Sequence, residues 1–145
     1  MNDGNLGQKE LKRRRELTRN TQNVICSVLP IEEGTERMLI SSYRDYYLQI
    51  SFSVMHPLMV ICMAKPIKYP STTKQYKQVN ELNLHSILGS FAINDEVGCY
   101  AYRVTQWLDA ELNATRFIEI LERCADEAER GFYRLAGSVC SYPPG

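Results

Sequence analysis

The sequence is short of the groups that chemistry usually needs. It holds two histidines, His56 and His85, and neither lies within four residues of a cysteine. The five cysteines, Cys26, Cys62, Cys99, Cys124 and Cys140, are odd in number, scattered, and never form a C-x-x-C pair. The paired spacings of a structural zinc site are therefore missing, and no metal is expected. Scattered single thiols fit a reducing cytosol. Cys62, Cys99 and Cys124 fall at apolar-pattern positions, where a thiol behaves as a small hydrophobe rather than a nucleophile. No Walker-type loop and no G-x-G-x-x-G occurs, the eight glycines being spread through turns, so no nucleotide or other cofactor is expected. The longest apolar run, "PLMVICMA" at 57–64, is far short of the roughly 20 residues that span a bilayer. The amino end, "MNDGNLGQKELKRRREL", lacks the apolar core of a secretory signal, and the expectation is a cytoplasmic protein without membrane contact. Net charge is also absent: 17 basic residues balance 17 acidic ones, so no global field draws the chain to nucleic acid.

What is present suits a folded domain. The hydrophobic share is 44% and the charged share 23% over 145 residues, a length that supports a proper core. Composition favours a helix from Gln8 to about Gln22. "NVICSVLP" reads either as the end of that helix or as an extended lead-in, and the acidic turn "EEGTE" follows. Between Arg37 and Lys65, Ile, Tyr, Phe and Val dominate without a helical period, which predicts antiparallel strands near 37–43, 46–54 and 58–64. Tyr47, Gln49, Ser51 and Ser53 alternate with Leu48, Ile50, Phe52 and Val54, the mark of a sheet with one buried face. Ser71 or Thr72 can cap a helix over Thr73–Leu88 that Gly89 stops. A hairpin follows, with Gly98 in its turn, Phe91 and Ile93 on one face, and Tyr100, Tyr102 and Val104 likewise together. Phe117, Leu121, Cys124, Ala128, Phe132 and Leu135 recur at helical steps, predicting an amphipathic helix over 114–135 capped by Asn113, with a net acidic outer face.

Three segments result: a polar tail with a basic helix (1–22), a single α+β domain (23–136), and a loose tail (137–145). Helix, three strands, helix, two strands and helix suggest an antiparallel sheet with helices packed on it. Paired carboxylates in "IEEGTE", "NDEV" and "DAEL" lie in turns, where solvation and turn chemistry explain them. With no nucleophile, base or cradle in place, the chain does not read as an enzyme. Tyr43, Arg44, Tyr46 and Tyr47 group in "YRDYY", and Tyr and Arg are favoured anchors for a protein partner; the same cluster also reads as an ordinary strand turn. Lys12, Arg13, Arg14, Arg15 and Arg19 against Glu10 and Glu16 form a basic patch, read as a solvated helix face or, as the alternative function, a nucleic-acid contact over 12–19. Asn80 and Asn83 sit three apart on the middle helix, where an amide can bond to strand backbone, and a latch between helix and hairpin is expected.

The segment "VNELNLHSILGSFAINDEVGCYAYRV" resembles the YbjN family of bacterial proteins, described as candidate sensory transduction regulators. Asn80 and Asn83 match the helix asparagines of that family, Phe91 and Ile93 its first hairpin strand, Asp95 and Gly98 its turn, and Tyr102 with Arg103 its second strand. The closing amphipathic helix is similar in placement, the resemblance extends over residues 73–135 and to the three-strand region by element order, and the basic amino-terminal helix is not matched. The resemblance implies a type III secretion chaperone-like fold: an antiparallel sheet of about five strands flanked by helices, ordered α-β-β-β-α-β-β-α, whose protomers often pair as a homodimer. It further implies a non-enzymatic protein-binding module with a regulatory or chaperone-like role in the bacterial cytosol. The exposed sheet surface or a sheet edge is where an extended partner segment would be taken up.

Overall fold

The computed structural model describes residues 7–53, 56–67 and 72–139. Helix α1 spans Gln8–Val28, β1 Glu33–Gly34, β2 Met38–Tyr43, β3 Tyr46–Phe52, β4 Leu58–Pro66, α2 Thr73–His85, β5 Ser90–Asn94, β6 Cys99–Trp107 and α3 Ala114–Val139. The strands form one antiparallel sheet in the order β1-β2-β3-β4-β6-β5. The architecture is the α+β sheet with flanking helices read from the sequence, with six strands in place of five. The extra strand is the acidic turn: Glu33 and Gly34 pair with Ile40 and Leu39. Two residues carry no period to recognise, and their extended state is imposed by the β2 edge beside them.

Alternation divides the sheet into two unlike faces. On the first, Leu39 of β2, Tyr46, Leu48 and Ile50 of β3, Met59, Ile61 and Met63 of β4, Tyr100, Tyr102 and Val104 of β6 and Phe91 of β5 are all buried. They form one core with Leu17 and Ile25 of α1 and Phe117, Leu121, Cys124, Ala128 and Leu135 of α3. This core is the main source of stability, since each fully buried large apolar side chain contributes about 1.5–3 kcal/mol. On the second face, no described residue of β2 to β6 is buried.

Local signals explain where the helices begin and end. "NVICSV" is the last part of α1, because Ile25 continues the buried stripe of Leu17 and Thr21. Thr72 caps α2, its hydroxyl accepting from Gln75 N–H while Gln75 returns a bond to Thr72 N–H, a reciprocal capping box; Ser71 and the turn residues 54–55 lie outside the described residues. Helix α2 stops at His85 rather than at Leu88. The Glu127 carboxylate of α3 takes the N–H groups of Ile87 and Gly89, which draws the chain out of the helix. Gly89 thus serves close approach rather than termination: a Cβ there would lie 2.6 Å from the Arg103 carbonyl oxygen. Asn113 caps α3 by accepting from Arg116 N–H at 2.9 Å. That helix runs through Val139, so part of the expected tail is helical.

Candidate partner-binding surface

The β2–β3 hairpin carries the tyrosine cluster. Its two-residue turn is Arg44-Asp45, with φ of 49° and 69°, the doubly left-handed conformation that suits a right-twisted hairpin and that asparagine and glycine usually supply. For Arg44 this geometry costs roughly 1–2 kcal/mol. Contacts elsewhere offset it: Arg44 pairs with Asp126 of α3 at 2.8 Å and lies 5.6 Å from the centre of the Tyr43 ring.

Residues within the cluster have different environments. Tyr46 is fully buried; its hydroxyl donates to Glu129 at 2.6 Å. It cannot act as a surface anchor, because strand alternation turns it to the core face. Lys65 also donates to Glu129, at 2.7 Å, and its ammonium stands 4.4 Å from the Tyr46 ring centre and 4.7 Å from that of Phe132. The hydrogen bonds from Lys65 and then Tyr46 hold the Glu129 carboxyl below the usual carboxylate range. Tyr43 is half-buried, and Tyr47, 50% exposed, opens to solvent on the second face.

Beside this hairpin the sheet edge is bare. Strand β1 serves Met38 and Ile40, whose carbonyls accept from Thr35 and Glu32, and it goes no further along β2. By the same alternation the Ser42 N–H and C=O point outward, and among the described residues the Ser42 N–H has no partner. The Ser41 hydroxyl reaches the Ser42 carbonyl at 3.5 Å and the better-placed Pro30 carbonyl at 2.8 Å. A shallow groove of about 390 Å³ runs here between Glu32, Ser42, Tyr43 and Tyr47. From Tyr47 the helix-free face continues through Ala64, Ala101 and Ala92, which pair in register across four strands. Met38, Ile40, Val60 and Cys62 lie alongside, and Trp107 is 67% exposed at the far end. Among the described residues of β2 to β6, Arg103 is the single charge on this face.

At the opposite edge, β5, the outward main-chain groups of Phe91 are occupied. Asn83 Nδ2 donates to the Phe91 carbonyl at 3.0 Å, and Phe91 N–H donates to Asn83 Oδ1 at 2.7 Å. One side-chain amide thereby imitates a neighbouring strand. Asn80 takes no part: it is exposed and, among the described residues, makes no side-chain hydrogen bond, so the expected latch has one asparagine rather than two. Three positions set Asn80 about 60° round the helix and about 4.5 Å back along it, and only Asn83 reaches Phe91. Gly98 adopts φ of 62° in the hairpin turn.

The acidic outer face expected for α3 is in part an inner one. Tyr102 donates to Glu127 at 2.5 Å and Tyr100 to the Ala128 carbonyl at 2.6 Å. Burial resists ionisation of Glu127, but the bonds from Tyr102 and from the Gly89, Ile87 and Leu88 N–H groups outweigh it and lower its pKa. Three core tyrosines need acceptors for their hydroxyls, and that requirement was the available signal for acids on the covering helix.

Two of the thiols lie where burial disfavours the thiolate, and part of the basic helix is internally paired. Burial pushes the Cys124 thiol up to about 12 and raises that of Cys62, away from the thiolate a nucleophile requires. No group of three or more metal-ligating side chains gathers among the described residues, and no described helix is long and apolar enough to cross a membrane. On α1, Arg13 and Arg14 both bind Glu10, at 2.8 Å and 2.6 Å, and their hydrogen bonds hold its carboxyl at about 2. Two of the five cations of the patch are thus engaged within the helix.

In fold the chain is similar to YbjN and to a type III secretion chaperone. YbjN from E. coli, described as a candidate transcription regulator, matches with a TM-score of 0.59 over 88% of this chain and 96% of that one, at 8% identity. SycH, a type III secretion chaperone from Yersinia pestis solved in complex with a stable fragment of YscM2, matches with a TM-score of 0.53 over 81% and 98%, at 13% identity. At these identities the likeness is one of fold. No protein-family model matches the chain, and no curated protein matches it in sequence.

Proposed function

We propose that this protein is a non-enzymatic module that binds an extended segment of another polypeptide, in a regulatory or chaperone-like role in the bacterial cytosol. The observation that carries this reading is the β2 edge: Ser42 points outward there beside an exposed Tyr47 and an almost uncharged face, whereas on the β5 edge Asn83 already occupies Phe91. A partner strand added at Ser42 gains main-chain bonds, and its alternate side chains lie against the groove. Tyr43, Tyr47 and Arg44 serve as anchors, with Tyr46 holding the hairpin from within. The fold shared with SycH, which was solved with a polypeptide fragment bound, supports a protein partner. Self-pairing belongs to the same reading, with exposed Leu84, Ile87 and Leu88 after α2 as its apolar surface.

The test is affinity capture from a bacterial lysate with the native protein and with Tyr47→Ala and Ser42→Pro variants. The proline removes an outward N–H and no ladder bond. A polypeptide captured by the native protein and lost with both variants supports the reading. Equal capture by all three removes this surface from the account.

A further inference from the structure

A second cavity lies at the open end of the hairpin, between the first half of α1, the start of β2 and the end of β3. It encloses about 380 Å³, within the usual range for small-molecule sites. Its lining is of two kinds. Leu11 and Phe52 supply its apolar lining, and Arg15 and Arg19 of α1 line it together with Arg37 of the β1–β2 turn. Among the described residues, these three guanidinium groups make no ion pair or hydrogen bond. Arg14 also lines the cavity but is paired with Glu10, and the one acidic lining residue is Glu36.

We propose that this cavity binds a phosphate monoester that carries an aromatic group, with Arg15, Arg19 and Arg37 on the phosphate and Leu11 and Phe52 against the ring. Like charges held around one concavity repel, and an anion seated among them removes that repulsion. Guanidinium forks match phosphate oxygens in bidentate fashion. Arg15 and Arg19, one turn apart, present neighbouring side chains, and Arg37 joins the lining from the β1–β2 turn. The frame is fixed on that side, since Gln22 Nε2 donates to the Glu36 carbonyl at 3.0 Å and ties α1 to the turn. A polynucleotide fits less well: the positive charge is confined to one pocket on a chain of zero formal net charge, without the track a phosphate backbone follows. The site is separate from the Ser42 edge and stands or falls independently of it.

Calorimetric titration of the full chain at low salt tests the assignment, with 1-naphthyl phosphate and adenosine monophosphate as probes and inorganic phosphate, 1-naphthol, hexaglutamate and polyadenylate as comparisons. Both monoesters are expected to bind at least about tenfold more tightly than phosphate or naphthol. Arg15→Gln/Arg37→Gln is expected to weaken them by about tenfold or more, as loss of charge-assisted hydrogen bonds does. The unliganded melting temperature should not fall, because both side chains are exposed and unpaired and their loss relieves mutual repulsion. Failure of both probes to bind, equal binding by the variant, or tighter binding of phosphate alone, hexaglutamate or polyadenylate overturns the proposal.

Discussion

Replacing Asn83 by alanine leaves the Phe91 N–H and C=O without the partners they have at 2.7 and 3.0 Å. Each such bond contributes about 1 kcal/mol net, so the pair amounts to about 2 kcal/mol. Asn83 is itself exposed, and water can replace part of the loss. Alanine also favours the helix by up to about 0.7 kcal/mol. The expected net destabilisation is therefore about 1–1.5 kcal/mol, or a fall of roughly 2–6 °C in melting temperature for a chain of this size. Urea denaturation of the variant beside Asn80→Ala separates the two asparagines, since Asn80→Ala removes no bond and should be neutral or slightly stabilising. Asn83→Ala should also self-associate at high concentration, because it frees an edge strand. Equal stability of the two variants would refute the strand-mimic account of Asn83.

Three further outcomes follow from the core and its polar network. Gly131→Ala places a Cβ 2.4 Å from the Phe91 ring and 2.7 Å from the Tyr100 hydroxyl; overpacking of about 1–3 kcal/mol outweighs alanine's helix preference, and thermal denaturation should show a net loss. Glu129 has its folded pKa below the ordinary value of 4.5, so the stability it contributes is full above that value and is lost as pH falls through the folded pKa. Unfolding free energy measured from pH 6 to 3 should therefore fall with acid, and more gently in Glu129→Gln. Labelling of the native protein with iodoacetamide, read by mass spectrometry, should modify exposed Cys26 well before buried Cys124; comparable rates would contradict the packing of α3.

The sheet and α3 were legible because each carries a long period that burial enforces. Tyr46 to Phe52 alternates faithfully, and Phe117 to Leu135 keeps one stripe against it. What escaped was decided by partners distant in sequence. Strand β1 exists because β2 offers an edge, and α2 ends early because Glu127 lies 38 residues beyond Gly89. Tyr46 read as a surface anchor because Tyr47 beside it is polar-tipped too, yet the strand period turns Tyr47 to solvent and Tyr46, with its cross-strand partner Tyr43, to the core side. The phosphate cavity needs Arg37 in one lining with Arg15 and Arg19, a juxtaposition that no local pattern announces. Asn83 was visible as an oddity of composition, and its partner on β5 shows what the oddity does.

The central claim is that a partner polypeptide pairs with the β2 edge at Ser42. Amide hydrogen exchange, followed residue by residue with and without a captured partner segment, addresses it directly. Slowed exchange at Ser42, with the β5 edge unchanged, is the expected result. Unaltered exchange at Ser42 together with protection elsewhere on the molecule would contradict the claim.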